Sequence, residues 1–325
     1  MTLAIAERVE SRRDKVVRHF ALTDTIFHWA CRSAAVLVLI ILGGVFFSLV
    51  SGSWAALSKF GPAFLTTDRW SPVTQTFGAL APIYGTLITS GIAILIAVPV
   101  GIGIAVFLTE LCPRPLRRPI AIAVELLAGI PSIIYGIWGL FVFAPFLQAT
   151  LQPFLIEVFA NVPVLNNVFA GPPYGIGILT SSLILAIMIL PFIASITKDV
   201  FDTVPGVLKE SAYGIGCTTW EVVRRIVIPH TRVGIMGGVM LALGRALGET
   251  MAVTFVIGNS HRLSASIIAP GTTISATIAN EFTEADADIY VSSLMSLGLI
   301  LFFITFIILA VARYMLLRMS RQAGA

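Results

Sequence analysis

Apolar residues in this chain gather in continuous runs of about 20, parted by short polar stretches, rather than alternating with polar ones. Six runs stand out, near residues 27–50, 84–107, 120–146, 175–196, 233–257 and 291–314. Each is long enough to cross the hydrocarbon core of a bilayer as a helix. No water is available there to satisfy free backbone groups, so helix is the expected form. A membrane β-barrel would need short alternating strands, and these runs do not alternate. The pattern predicts an all-α polytopic membrane protein.

Composition agrees. Of 325 residues, 57% are hydrophobic and 12% charged, whereas a soluble domain carries about 25% charged residues. A net charge of +4 could suggest nucleic acid, but the distribution of the cations excludes that reading. Of 21 Lys and Arg, 17 fall in four places. These are the N-terminal edge (Arg8, Arg12, Arg13, Lys15, Arg18, Arg32), the segment after the second run (Arg114, Arg117, Arg118), the segment after the fourth (Lys198, Lys209, Arg224, Arg225, Arg232) and the C-terminus (Arg313, Arg318, Arg321). Lys59, Arg69 and Arg262 fall on the other side, beside the acidic stretch Glu281, Glu284, Asp286 and Asp288, and Arg245 lies within a run. Positive-inside sorting then puts both termini in the cytoplasm. The expected organisation is an arm over 1–26, a membrane-spanning body over 27–314 and a tail over 315–325. Residues 147–174, rich in Pro, Gly and Asn, read as an external loop on the membrane surface.

Little else in the composition carries chemistry. Cys31, Cys112 and Cys217 are widely spaced and form neither a disulfide framework nor a metal motif. His19, His28, His230 and His261 lack ligand spacing. The first 25 residues hold no apolar core of a signal peptide, so none is expected. No lysine follows a glycine, so the phosphate loop of a nucleotide hydrolase is missing from the sequence.

The polar segment 200–232 has a grammar of its own. Asp202 or Thr203 can cap a helix with Pro205 in its first turn, and Gly214 and Gly216 can stop it. Thr218 and Glu221 have the spacing of a capping box for a second helix, which Pro229 would close. Two short helices make a knob suited to a partner's cleft; an ordinary amphipathic connector is the plainer reading.

Glu210-x-Ala212, then Gly216, then Ile226-x-Ile228-Pro229 resembles the EAA loop of ABC importer permeases, by which a membrane subunit docks on a separate ATPase. Ser211 stands where the usual motif has a second alanine, and is small enough to fit. Residues 126–136 (Leu-Leu-Ala-Gly-Ile-Pro-Ser-Ile-Ile-Tyr-Gly) resemble a signature of the phosphate-import branch. Residues 243–254 (Leu-Gly-Arg-Ala-Leu-Gly-Glu-Thr-Met-Ala-Val-Thr) are similar to the fifth span of its PstC-type subunits, since PstA-type subunits diverge after Gly-Glu-Thr. The resemblance covers about residues 84–314.

It implies a MetI-like ABC importer permease fold of six spans with a cytoplasmic two-helix coupling loop, in the bacterial cytoplasmic membrane. It further implies a transport subunit, not an enzyme, with phosphate as cargo. The implied partners are a second, non-identical permease, an ATPase dimer that uses the ATP, an extracytoplasmic phosphate-binding protein and membrane lipid. No cofactor is expected on this chain itself and no nucleic acid. The coupling residues carried over are Glu210, Ser211, Ala212, Gly216, Ile226, Ile228 and Pro229. A permease for another anion or small solute keeps the architecture; a gradient-driven secondary transporter, or a scaffold without transport, has no need of the loop.

Candidate pathway residues come from the runs. In the fifth, Gly238, Ala242, Arg245, Glu249 and Ala252 step by helical spacing along one small, charged face unsuited to lipid. Arg245 and Glu249 are then close enough to pair, either as a packing ion pair or as part of the phosphate path. Gly234-x-x-x-Gly238 and Gly244-x-x-x-Gly248 permit close helix approach. Gly129, Pro131 and Gly136 interrupt the third run, for packing or beside a path, and Glu125 sits near its cytoplasmic end. Thr86, Thr89 and Ser90 give the second run a weakly polar face; substrate contact competes there with bonding to their own backbone.

Overall fold

The computed structural model describes the backbone of residues 2–163 and 165–323, with side chains for 23–163 and 165–318. The arginines and lysine of the N-terminal arm from Arg8 to Arg18, and Arg321 in the tail, lie outside the described side chains. Among the described residues the regular structure is helical, with one isolated β-bridge between Ser71 and Thr76 and no strand. Met1–Gly52 and Ser53–Ala325 form separate compact units; the first is described as helix from Thr2 onward.

Among the described residues, six helices are long and apolar enough to cross a membrane: Thr23–Phe60, Leu80–Leu111, Ser132–Phe159, Ile178–Asp202, Thr219–Leu247 and Asp288–Arg318. Their number matches the six apolar runs. The fourth is the most buried of them. Its Ile184, Leu185, Ile189 and Ile193 pack with Ala93 and Ala97 of the second span and Ala242 and Ala246 of the fifth. Small residues set these distances. A Cβ on Gly234 would meet Val200 Cγ1 at 2.5 Å, and one on Gly238 would meet Ile196 Cγ2 at 2.8 Å. The first Gly-x-x-x-Gly pair thus seats the fifth span on the fourth, as small-residue interfaces do in membranes. The second pair does not act this way: Gly244 has Leu309 at an ordinary 3.7 Å.

Two runs differ from their expected form. The third is two helices, Arg114–Ala128 and then a spanning helix from Ser132. Gly129 closes a tight turn onto the carbonyl of Leu126, and Pro131 is extended at φ −56°, ψ 134°. Proline supplies no N–H and blocks helix in the residue before it, so the helix stops although the apolar run continues. The span then reaches Phe159, and residues 147–159 are helix, apart from a turn at Thr150, rather than loop. Gly136 breaks nothing. It lies inside a helix, where a Cβ would meet Phe255 Cδ2 at 2.8 Å and Ala252 Cα at 3.1 Å.

The fifth run also divides. Its helix ends at Leu247, Gly248 to Thr250 leave helical geometry, and Met251–Thr254 adds one further turn. At its other end Pro229 closes nothing. Thr219–Val222 passes through a π turn at Val223–Val227 into Ile228–Leu247, with Pro229 in the first turn. The wider i→i+5 bonding of a π turn relieves the proline of its usual conflict with the preceding turn.

Candidate coupling surface and translocation path

The first coupling helix, Gly206–Gly214, begins directly after the extended Pro205 and has no side-chain cap. Asp202 instead accepts a 2.5 Å bond from Arg117 Nη2, and Thr203 ends the fourth span. Expecting either as a cap overlooked that the fourth span runs helically through Asp202. The stop is as the glycines suggest. Gly216 has φ +90°, its N–H bonds to Tyr213 O at 3.0 Å, and Cys217 N–H bonds to Ala212 O at 3.0 Å. That left-handed residue turns the chain into the next helix at no Cβ cost. The capping box follows: Thr218 N–H donates to Glu221 Oε2 at 2.9 Å, and Glu221 N–H to Thr218 Oγ1 at 3.4 Å.

Packing explains the motif residues. Ala212 is buried among Phe201, Val204, Val222 and Val227, so a larger side chain would lift the first coupling helix off its core. Ile226 and Ile228 pack against the same core, while Glu210, Ser211 and Pro229 are exposed. What the motif does not reveal is the outer face. Val207, Ile215 and Trp220 are 71%, 83% and 65% exposed. Large apolar side chains held outward on a polar loop are features of an interaction surface. A second feature escaped the sequence reading too: Lys209 Nζ lies 2.6 Å from Glu110 Oε1, with both side chains largely buried. Glu110 belongs to a π turn at Phe107–Leu111 that ends the second span. Only the fold brings the two together.

The proposed path residues do not form one group. Arg245 is exposed and no ion pair joins it to Glu249. The helix break between them removes the shared face that continuous 3.6-residue spacing predicts. Glu249 instead accepts a 3.2 Å bond at Oε1 from Ala252 N–H, capping the short helix beyond the break. The Tyr135 OH donates to Leu127 O at 3.0 Å across the break in the third run. Glu125 sits on the separate Arg114–Ala128 helix, pairs with Lys198 at 3.5 Å, and lines a cleft of about 290 Å³ with Arg114, Arg117, Arg118 and Asp202. Thr86 and Ser90 are buried, and each donates to a carbonyl four residues back, Pro82 O at 2.8 Å and Thr86 O. Thr86 Oγ1 also accepts from Ile274 N–H at 2.9 Å. Their hydroxyls hold helix and neighbour together.

A six-span body with a two-helix knob after the fourth span can be compared with known proteins. The model of the family described as binding-protein-dependent transport system inner membrane component matches residues 97–321. The chain belongs to this family. Like it, the phosphate transport system permease protein PstC of Mesorhizobium japonicum is a relative, 76% identical over 98% of this chain and 97% of its own length. Among solved structures, a bacterial ABC transporter involved in import of the acidic polysaccharide alginate aligns with TM-score 0.54 over 87% of this chain and 95% of that one, at 18% identity. A chain of the inward-facing MetNI methionine ABC transporter aligns with TM-score 0.50 over 74% of this chain and 94% of that one, at 16% identity. This inner membrane component therefore has the MetI-like permease fold of ABC importers and is a multi-pass membrane protein.

Proposed function

We propose that this chain is a permease subunit of an ATP-driven phosphate importer, forming half of the translocation pathway and taking its motion from a separate ATPase. The observation that carries the reading is the coupling knob. Its inner face is built into the body through Ala212, Ile226 and Ile228, and its outer face presents Val207, Ile215 and Trp220. A gradient-driven transporter would have no use for such a surface. The phosphate cargo rests on the 76% identity to a phosphate permease.

On this reading an ATPase dimer docks at the knob and uses the ATP, while this chain binds no cofactor. A second permease completes the path, and an extracytoplasmic phosphate-binding protein delivers the ion. The sorting of 17 of 21 Lys and Arg onto the knob side supports placing that side, with both termini, in the cytoplasm. Within the path Arg245 offers a forked donor to phosphate oxygens. Glu249 caps with one oxygen; the other can accept from a phosphate hydroxyl that sulfate lacks at neutral pH, which gives discrimination between the two.

The test is reconstitution of the four-component complex in liposomes, followed by phosphate uptake against sulfate and molybdate. Uptake that requires ATP and the ATPase is the expected result. Uptake driven by a proton gradient without ATPase, or a preference for another anion, overturns the reading.

A further inference from the structure

A pocket lies at the end of the second span remote from the knob. The helix Leu80–Val106 has 27 residues, a length of about 40 Å at 1.5 Å per residue. Glu110, bonded to the knob through Lys209, lies beyond its C-terminal end. Before its N-terminal end, a cavity of about 660 Å³ opens between the Ser71–Thr76 hairpin and residues 260–262. It faces away from the ATPase side.

Arg69 and Arg262 both line this cavity, although 193 residues separate them in sequence. Positive-inside sorting leaves only Lys59, Arg69 and Arg262 on this side, so the fold gathers two of the three into one place. One acidic side chain, Asp68, stands among them, with the hydroxyls of Ser71, Thr74 and Ser260. The nearby carboxylate of Glu281 is committed elsewhere. It accepts from Trp70 Nε1 at 3.2 Å and from the Tyr290 hydroxyl, and is hydrogen-bonded to His261 Nε2 at 3.2 Å. Those bonds hold the Trp70 and His261 rings stacked, 5.3 Å apart and 11° from parallel, as a rigid floor. Val73 and Leu263, each next in sequence to a lining residue, are 94% and 46% exposed. Two arginines over a preformed aromatic floor, with exposed apolar side chains adjoining, suit a protein surface. At about 660 Å³ the space is that of a site for a large ligand, far wider than one tetrahedral oxyanion needs.

We infer that this pocket docks an acidic loop of the extracytoplasmic binding protein, with Arg69 and Arg262 receiving its carboxylates. The inference rests on the importer reading, which supplies such a partner. Charge pairs at an exposed rim act on encounter rate and specificity and weaken with salt.

The test uses the complete complex in nanodiscs and the binding protein of the same importer. Arg69→Glu with Arg262→Glu is expected to weaken binding at least tenfold at low salt, with the difference shrinking as salt rises. Uptake returns at saturating binding protein. An alanine pair shows a smaller loss in the same direction, and Lys59→Glu, outside the pocket, binds normally. Unchanged affinity in assembled complexes carrying either pair overturns the inference. So does protection of Arg262 from an arginine reagent by inorganic phosphate alone, which would make the pocket an ion site. A wild-type complex that binds the protein through these arginines yet imports no phosphate supports the docking and refutes the cargo. Phosphate import with unaltered binding by the variants refutes the docking alone.

Discussion

Lys209 and Glu110, 99 residues apart, meet at 2.6 Å and tie the coupling knob to the π turn that ends the second span. A largely buried ion pair in that place links the helix Gly206–Gly214 to the end of the second span. Removing one partner leaves a charge uncompensated, at a cost of up to about 3–5 kcal/mol. Glu110→Gln is expected to leave the ATPase bound but to lower phosphate imported per ATP hydrolysed. The exchange Glu110→Lys with Lys209→Glu restores that ratio if the pair transmits motion. A ratio unaffected by the single change would show that the knob is coupled by other contacts.

Gly216 has φ +90° and nothing within 4 Å of where a Cβ would stand. A substitution there costs conformational energy alone, about 1 kcal/mol or more. Gly216→Val is therefore expected to insert into the membrane normally while losing ATPase co-purification and uptake. Normal transport by this variant would refute the coupling role of the loop.

Arg245 and Glu249, separated by the helix break, make distinct predictions. Glu249→Gln keeps an oxygen for the Ala252 N–H, so it assembles; Glu249→Ala loses the cap and about 0.5–2 kcal/mol. Arg245→Gln removes an exposed charge from the last turn of the fifth span, so it assembles at least as well as the wild type. Membrane abundance, complex assembly and phosphate uptake are measured together. Full assembly with lost uptake in Arg245→Gln and Glu249→Gln places both on the path; normal uptake in both removes them from it.

His261 supplies a pH dependence. Burial pushes its pKa below the usual 6.5, and the Glu281 carboxylate only partly offsets this. The native state thus favours the neutral ring. The stability it contributes is complete above about pH 6.5 and is lost as pH falls through the lower folded value. In a variant keeping Trp70 alone of the five tryptophans, acidification is expected to shift its fluorescence, and His261→Gln to abolish the shift. A signal flat from about pH 8 to 5 contradicts the assignment.

Much of the fold was legible because bilayer burial imposes a length that side chains report directly. The six runs, the left-handed Gly216 and the Thr218–Glu221 box each follow from a local rule, and the structure contains them. The departures share one cause. Hydropathy scores side chains and does not say whether backbone geometry continues, so Gly129–Pro131 and Gly248–Thr250 were hidden inside apolar runs. The helical spacing of Arg245 and Glu249 was real on paper and void across a break. Conversely, Pro229 looked like a terminator because a π turn leaves no composition signal. Pairings such as Lys209 with Glu110, or Arg69 with Arg262, depend on tertiary placement that no window of sequence contains.

The interruption at Gly248 to Thr250 has a consequence for biogenesis. Backbone that leaves the helix, as it does from Gly248 to Thr250, is tolerated at membrane depth only against protein or water. An exposed guanidinium at Arg245 adds to that demand. Made without a companion subunit, the chain would present both to lipid. Its yield in the membrane is therefore expected to depend on co-synthesis with the second permease, and orphaned copies to be cleared by membrane proteases. The break that ends the fifth span at Leu247 also makes solitary existence unfavourable, so quality control can read assembly from a single bend.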